Sequence, residues 1–409
     1  MLEVTLPTPS HYVNRGWPVI ATTIHMEQHS YRVFYRVSQG PIADGSEPFL
    51  ATALLPAMKV GASLRLLDPI SLRLLDHVPI YQNVVRSWYK TVQFVPIVAT
   101  SRPARPVAAA RGVGCFFSGG VDSFYSALTH RDEITHLIFI HGHDILLRDK
   151  EQRRISIEGV RRAAAELNKP LIEVETNARD FLDAYCDWGR ESHGAVLGAV
   201  ALLLAPQMRK IYIASSTDYN HLYQWGSHPV LDPLWSSDEV EVIHDGGPSK
   251  RQDKIERIAT DDTAMRWLRV CYKNTGSAYN CGTCEKCLRT ILELHIAGAL
   301  DCCATLPHRL DYDQIAHMQI RYSEHWGLRA LLQEGAVQGD LALEQALRQC
   351  LGVYQSDYLE VCMGLDEQMQ ELKRELRRLY SSQSWRMTAP LRHAGDAARR
   401  LKMRIGSRT

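Results

Sequence analysis

Val113-Gly-Cys-Phe-Phe117, Ser118-Gly-Gly-Val-Asp-Ser123 and Phe124-Tyr-Ser-Ala-Leu128 follow one another without a gap, and this junction decides the fold. The first piece has the look of a buried strand, the second is a glycine turn, and the third starts a helical pattern. A strand that passes through glycines into a helix N-terminus makes an anion cradle. Gly119 and Gly120 let backbone N–H groups face a phosphate with no Cβ in the way, and the helix dipole adds partial positive charge. Ser118 and Ser123 offer hydroxyl donors across Val121, and Asp122 offers a carboxylate able to hold a magnesium ion against phosphate oxygens. No Gly-Lys-Ser/Thr follows the glycines and no Gly-x-Gly-x-x-Gly is present, so neither a Walker A loop nor a dinucleotide fingerprint is expected.

Outward from this junction, strand and helix patterns alternate. His136–His141, Leu171–Val174 and Lys210–Ala214 read as strands, and Gln152–Leu167 and His193–Ala205 as helices. Such alternation predicts an α/β fold, a parallel sheet with helices on both faces. Ligands of such sheets sit outside the carboxyl ends of the strands, so Ser118, His141, Thr176 and Ser215 are expected around one cleft. Residues 1–97 read as a smaller β-rich domain, with Tyr31–Val37 and Phe49–Leu55 strand-like and a helix near Ile80–Tyr89. Residues 98–112, with two prolines and little periodicity, read as a linker.

Cys271, Cys281, Cys284 and Cys287 are the second strong signal. Cys-x-x-Cys-x-x-Cys presents three thiolates in one tight turn, and Cys271 returns as a fourth. Four sulfurs satisfy tetrahedral zinc with no open position, so a structural site is expected. An iron–sulfur cluster is the second reading, though the ferredoxin-type fourth cysteine followed by proline is missing. A redox dithiol is the third and would not need four cysteines. Cys302 and Cys303 lack metal spacing.

Ser118-Gly-Gly-Val-Asp-Ser123 resembles the SGGxDS signature of the PP-loop ATP pyrophosphatases of the N type at all six positions. The resemblance implies an adenine nucleotide alpha hydrolase-like domain over 113–300 that grips the pyrophosphate of ATP while a substrate attacks the α-phosphate. With the cysteine spacing, and Cys271-Tyr272 opening the loop, the chain is similar to the 7-cyano-7-deazaguanine synthase family. That family activates a carboxylate as an acyl adenylate for attack by ammonia. The resemblance extends to Ile213-Ala-Ser-Ser-Thr-Asp218, which implies that Ser215 and Asp218 contact ATP alongside the loop. Lys250, Arg251 and Lys254 lie close to the family's basic residue at the α-phosphate; Arg251 and Lys254 join Asp122 as catalytic candidates. The nitrogen source would be ammonia or an amine, supplied in one scheme by a partner glutaminase.

Departures from the family are the β-rich N-terminal unit and His228-Pro-Val-Leu-Asp-Pro-Leu-Trp-Ser-Ser237, so its substrate pocket does not carry over. His228 and Asp232 read as turn caps there. Sulfur transfer is the alternative enzymatic reading, and a non-catalytic scaffold in a polysaccharide complex the alternative of a different class.

Residues 301–355 are expected to be helical. Over 356–382, Leu365, Met369, Leu372, Leu376 and Leu379 form a short a/d seam, suited to a coiled-coil partner or homodimer, or to packing on the chain's own domain. Ser381-Ser-Gln-Ser-Trp-Arg-Met-Thr-Ala-Pro-Leu-Arg392 resembles a tail of bacterial glycosyltransferases and other surface-polysaccharide proteins, implying a sugar or glycan substrate. From Arg386 to Arg408 seven basic residues face one acid, Asp396, in a basic tail that suits either an anionic membrane face or a disordered end. A net charge of +1 and the lack of an RNA-binding module argue against a nucleic-acid partner. The start of the chain shows no secretory pattern and no apolar run is long enough to span a bilayer, so the cytoplasm is expected.

Overall fold

The computed structural model describes residues 3–103, 111–273, 278–320, 322–333 and 339–352, with 371–372, 374–375 and 378. In chain order the first strands are β1 (Glu3–Leu6), β2 (Ser10–Asn14), β3 (Trp17–Met26) and β4 (His29–Val37). Helix α1 (Glu47–Val60), β5 (Ser63–Leu66), β6 (Ile70–Ser71), α2 (Leu72–Trp88), β7 (Ile97–Val98) and β8 (Ser101–Arg102) follow. From Gly112 the expected alternation sets in: β9 (Gly112–Phe116), α3 (Val121–Thr129), β10 (His136–His141), α4 (Lys150–Glu166) and β11 (Leu171–Thr176). It continues through α5 (Ala178–Leu182), α6 (His193–Leu203), β12 (Met208–Ala214), β13 (Glu241–Asp245), α7 (Arg251–Ala259), α8 (Asp262–Trp267) and α9 (Glu285–Ile296).

The protein is mixed α/β. Strands β13, β12, β9, β10 and β11 lie side by side in that order and all run parallel. Side chains alternate between the two faces: Ile138 and Ile140 join one apolar cluster with α1, α2 and α6, while Leu137 and Phe139 join another with α3, α4 and α7. Both faces are therefore covered, as a parallel sheet requires.

The β-rich N-terminal segment, expected as a separate domain, continues this sheet. Strand β4 pairs antiparallel with β11 (Val174 opposite Val37), and β3 and β2 add beyond it, making eight strands in all. Its helix α1 packs on α6 in the same core as Ile172 and Val174. Phe49–Leu55, expected as a strand, lies inside α1. An unbroken apolar run suits a buried strand and a buried helix equally. Pro48 in the first turn and Gly61 at φ 69° past the end are the signals that decide for a helix.

Beyond α9, α10 (Tyr312–Ala316), α11 (Tyr322–Gln333) and α12 (Leu341–Gly352) form a small helical cluster closed on Leu288 and Leu292 of α9. The seam residues Leu365, Met369, Leu376 and Leu379 and the basic tail lie outside the described residues. Close to the seam, Arg374 pairs with Glu191 at 3.0 Å and Arg378 lies over the Tyr185 ring at 5.2 Å. Among the described residues no helix is long and apolar enough to cross a membrane.

Candidate functional site

The sheet order places β9 between β10 and β12, so chain direction reverses sides there, and crevices at such a switch point are where open α/β sheets hold ligands. The glycine turn lies at that point. Gly119 has φ +78°, in the left-handed region that strains any L side chain. Its carbonyl accepts from the Arg269 backbone N–H at 2.8 Å, tying the turn to the segment that enters the cysteine loop. Gly120 caps α3, and the Ser123 hydroxyl donates to its carbonyl at 3.0 Å. Ser118 Oγ accepts from Gly120 N–H at 3.4 Å and lies 3.5 Å from Ser123 Oγ.

Asp122, in the first turn of α3, faces α7. Lys254 Nζ donates to Asp122 Oδ1 at 3.1 Å and to the Ser215 carbonyl at 2.5 Å, and Arg251 Nη1 donates to Asp122 Oδ2 at 3.5 Å. Lys254 is only 1% exposed. Burial works to raise the Asp122 carboxyl, but Lys254 and Arg251 outweigh it and hold the group below the usual carboxylate range. Arg251 is gripped from behind by α9: its Nε donates to the Glu293 carboxylate at 3.0 Å and its Nη2 to Thr290 Oγ1 at 3.3 Å. Each Asp122 oxygen thus already serves a cationic side chain. A divalent ion beside it would sit in the field of two positive groups, so this arrangement suits magnesium poorly.

A cleft of about 430 Å³ opens at the loop. Ser118, Gly120, Val121, Asp122, Ser123 and Arg251 all line it, so the sequence-derived loop and one of its basic candidates meet. Lys254 acts from beneath through Asp122. Ser215 does not face the cleft: it is 1% exposed, with Oγ donating to the Thr217 carbonyl, while Ala214 and Ser216 on either side are the lining residues. Asp218 is committed to a short turn, accepting from Asn220 N–H at 2.8 Å and pairing with His221 at 2.9 Å. His141 is buried against Glu173 at 3.0 Å, and Thr176 donates to the Phe34 carbonyl of the N-terminal strands. Asp232 is fully buried, accepting from Ser227 Oγ at 2.6 Å and His244 Nδ1 at 2.7 Å.

Three basic residues that line the cleft escaped the sequence reading, Arg179 on α5 and two beside the cysteine loop. Lys286 and Arg269 both line the cleft. Burial pushes the Lys286 ammonium down, as do Arg289 and Arg251, against the opposing pull of Asp144 and Asp122. Lys286 therefore lies within the field of the loop carboxylate and of Asp144 at once. Neither placement has a local signature, since both follow from the cysteine loop folding back onto Gly119.

The thiols of Cys271, Cys281, Cys284 and Cys287 lie within 4.8 Å of one another, with Cys281 and Cys287 Sγ 3.9 Å apart. Tetrahedral zinc with bonds of about 2.3 Å separates its sulfurs by about 3.8 Å, so the four residues fit a metal such as zinc. Gly282 at φ +74° makes the sharp turn inside the knuckle, and the Cys284 N–H donates to Cys281 Sγ at 3.3 Å. Cys287 falls in the first turn of α9, so the cluster anchors the helix that grips Arg251. Cys302 is exposed and Cys303 buried, both outside the cluster. Comparison with protein families, curated proteins and solved structures returned no match to this chain.

Proposed function

We propose that the chain is an ATP-dependent, adenylate-forming ligase of the amidotransferase kind, with a core of the adenine nucleotide alpha hydrolase type. One observation carries the reading: the Ser118–Ser123 turn lies at the switch point of the parallel sheet, beside a cleft that Arg251, Arg269 and Lys286 line with it. In this reading the turn and the N-terminus of α3 receive the outer phosphates of ATP. A substrate carboxylate oxygen attacks the α-phosphorus, the bond to pyrophosphate breaks, and an acyl adenylate forms. Ammonia or an amine then adds to the acyl carbon, and AMP leaves with the C–O electron pair. Arg251 and Lys286 stabilise the charge that develops on the phosphates. Asp122 and Lys254 hold Arg251 and the end of β12 in place. ATP brings its own magnesium, and no step is assigned to that ion on Asp122. Zinc, held by Cys271, Cys281, Cys284 and Cys287, would supply rigidity alone.

Sulfur transfer is less well supported, because among the described residues Cys271 is the single cysteine lining the cleft and belongs to the metal cluster, while Cys115 is buried inside β9. Labelled ATP with pools of carboxylates tests the proposal. AMP and pyrophosphate are expected, and Asp122→Ala should remove them. ADP as the product would reject adenylation, and ATP binding with no turnover on any acid would favour a scaffold.

A further inference from the structure

Besides the phosphate loop the cleft is walled by aromatic and histidine side chains that the adenylation reading does not use. Trp188, His193, Trp225, Ser227, His143 and Arg179 all line it. Four of them, Trp188, His193, Trp225 and Ser227, come from two segments built to interlock. Trp188–Ser192 is a π-helical turn, a rare geometry that concentrates at functional sites. The Gly226 N–H donates to the Gly189 carbonyl at 3.1 Å, joining this turn to the loop that carries Trp225. Glycines make the join possible: a Cβ at Gly194 would fall 2.0 Å from the Gly226 carbonyl oxygen, one at Gly226 2.6 Å from His193 Nδ1, and one at Gly189 2.7 Å from the Trp225 ring. The wall is preorganised by backbone contact, which suits a binding surface.

Its shape selects among ring-bearing ligands. The rings meet at steep angles: His143 to Trp188 at 72°, Trp188 to His193 at 53°, His193 to Trp225 at 61°. The Arg179 guanidinium lies over Trp188 at 4.5 Å. These tilted rings form a faceted bowl and present no two parallel faces between which a flat heterocycle could be sandwiched. A bowl of tilted aromatic faces fits a puckered ring with C–H groups on its faces and hydroxyls on its rim. The polar groups match such a rim. His193 Nδ1 donates to the Trp188 carbonyl at 3.2 Å, which leaves Nε2 as the acceptor in a neutral ring, and burial keeps that ring neutral, its pKa pushed down to about 4. Ser227 Oγ, already donating to Asp232, offers an acceptor lone pair. Lys286 lines the same cleft as the bowl and the loop.

The geometry points to an acceptor subsite for a pyranose-ring carboxylate, a hexuronic-acid-type sugar whose ring rests in the Trp188–Trp225 bowl and whose carboxylate lies toward Lys286 and the phosphate loop. The carboxylate half rests on the adenylation reading; the ring half does not.

The probes are glucuronate and galacturonate, with nicotinate as the flat-ring control, titrated into the full chain with and without ATP by calorimetry and tryptophan fluorescence. A hexuronate should bind saturably, nicotinate should bind at least about tenfold more weakly, and Trp225→Ala and His193→Gln should each weaken hexuronate by about tenfold while ATP affinity stays within about twofold. The retained ATP affinity reports that each variant is folded. Nicotinate outcompeting both hexuronates, hexuronate binding indifferent to both substitutions, or no hexuronate binding would overturn the subsite. AMP release is read in the same samples. Hexuronate bound in the bowl without AMP would sink adenylation and leave the subsite standing, and AMP formed with nicotinate alone would do the reverse.

Discussion

Replacing Lys254 with Met tests the hub on which the loop rests. The substitution keeps a long flexible stem in a site that is 1% exposed and removes only the ammonium. Two contacts are lost, the 3.1 Å bond to Asp122 and the 2.5 Å bond to the Ser215 carbonyl. Breaking a buried pair by deleting one partner costs about 3–5 kcal/mol. Asp122 is a quarter exposed and keeps Arg251 at 3.5 Å, so a cost just below that range, about 2–3 kcal/mol, is expected here. With a urea slope of about 3 kcal/mol per molar, the unfolding midpoint should fall by about 0.8 M at pH 7. The sign of the pH dependence follows from the depressed Asp122 carboxyl. Its stabilisation is complete above the ordinary carboxylate pKa of about 3.9 and disappears as pH falls through the lower folded value. Wild type should therefore lose more stability than Lys254→Met below about pH 4, and the two urea curves should converge in acid. AMP formation should drop together with the midpoint. A variant as stable as wild type at pH 7, or a deficit that stays constant down the acid range, would refute the hub.

Metal analysis should find one zinc equivalent per chain, lost in Cys284→Ser, and metal removal should lower the melting temperature and weaken ATP binding, because Arg269 and α9 both lean on the knuckle. Gly119→Ala should cost about 1–2 kcal/mol in a urea titration through left-handed backbone strain, since its Cβ would meet Arg269 Cβ at an ordinary 3.7 Å and no clash contributes. Gly198→Ala should destabilise for the opposite reason: φ is unremarkable, but the new Cβ would lie 2.3 Å from Trp235 Cγ in a fully packed core, costing about 1–3 kcal/mol in the same titration.

What could be read in the sequence was local and covalently contiguous. The strand–turn–helix at 113–128, the strand at His136–His141 and the spacing of the four cysteines carry their meaning within a few residues, and each lies where its pattern placed it. Pairings set by distant segments were not readable. Nothing in Tyr31–Val37 says that it will pair with Thr176 from across the sheet, yet that ladder takes the Thr176 hydroxyl out of the cleft. Ser215 misled because a local turn decides its direction: Ile213, Ala214 and Ser216 of the same run line the cleft, while the Ser215 hydroxyl is drawn inward to the Thr217 carbonyl. Phe49–Leu55 misled because apolar content without period does not separate helix from strand.

The two sequence signals, read as independent, are physically one device. Arg289 lies between Glu285 and Glu293 on α9, at 3.3 and 3.8 Å; Glu293 holds Arg251 at 3.0 Å; Arg251 meets Asp122 at 3.5 Å; Asp122 meets Lys254 at 3.1 Å. Charges alternate in sign along this whole line, from the helix that starts in the cysteine knuckle to the helix that starts in the glycine turn. Such a chain of charges in a poorly solvated interior is costly when incomplete, because each member left without its neighbour keeps its desolvation penalty. The backbone bond from Arg269 to Gly119 runs alongside as a second tie. Loosening the knuckle should therefore displace Arg251 and Lys286 before it unfolds the sheet, and Glu293→Gln, which touches neither the thiols nor the cleft, should mimic metal loss in ATP affinity while the zinc content stays whole. A Glu293→Gln protein that binds ATP as wild type does would show that the two sites are merely neighbours.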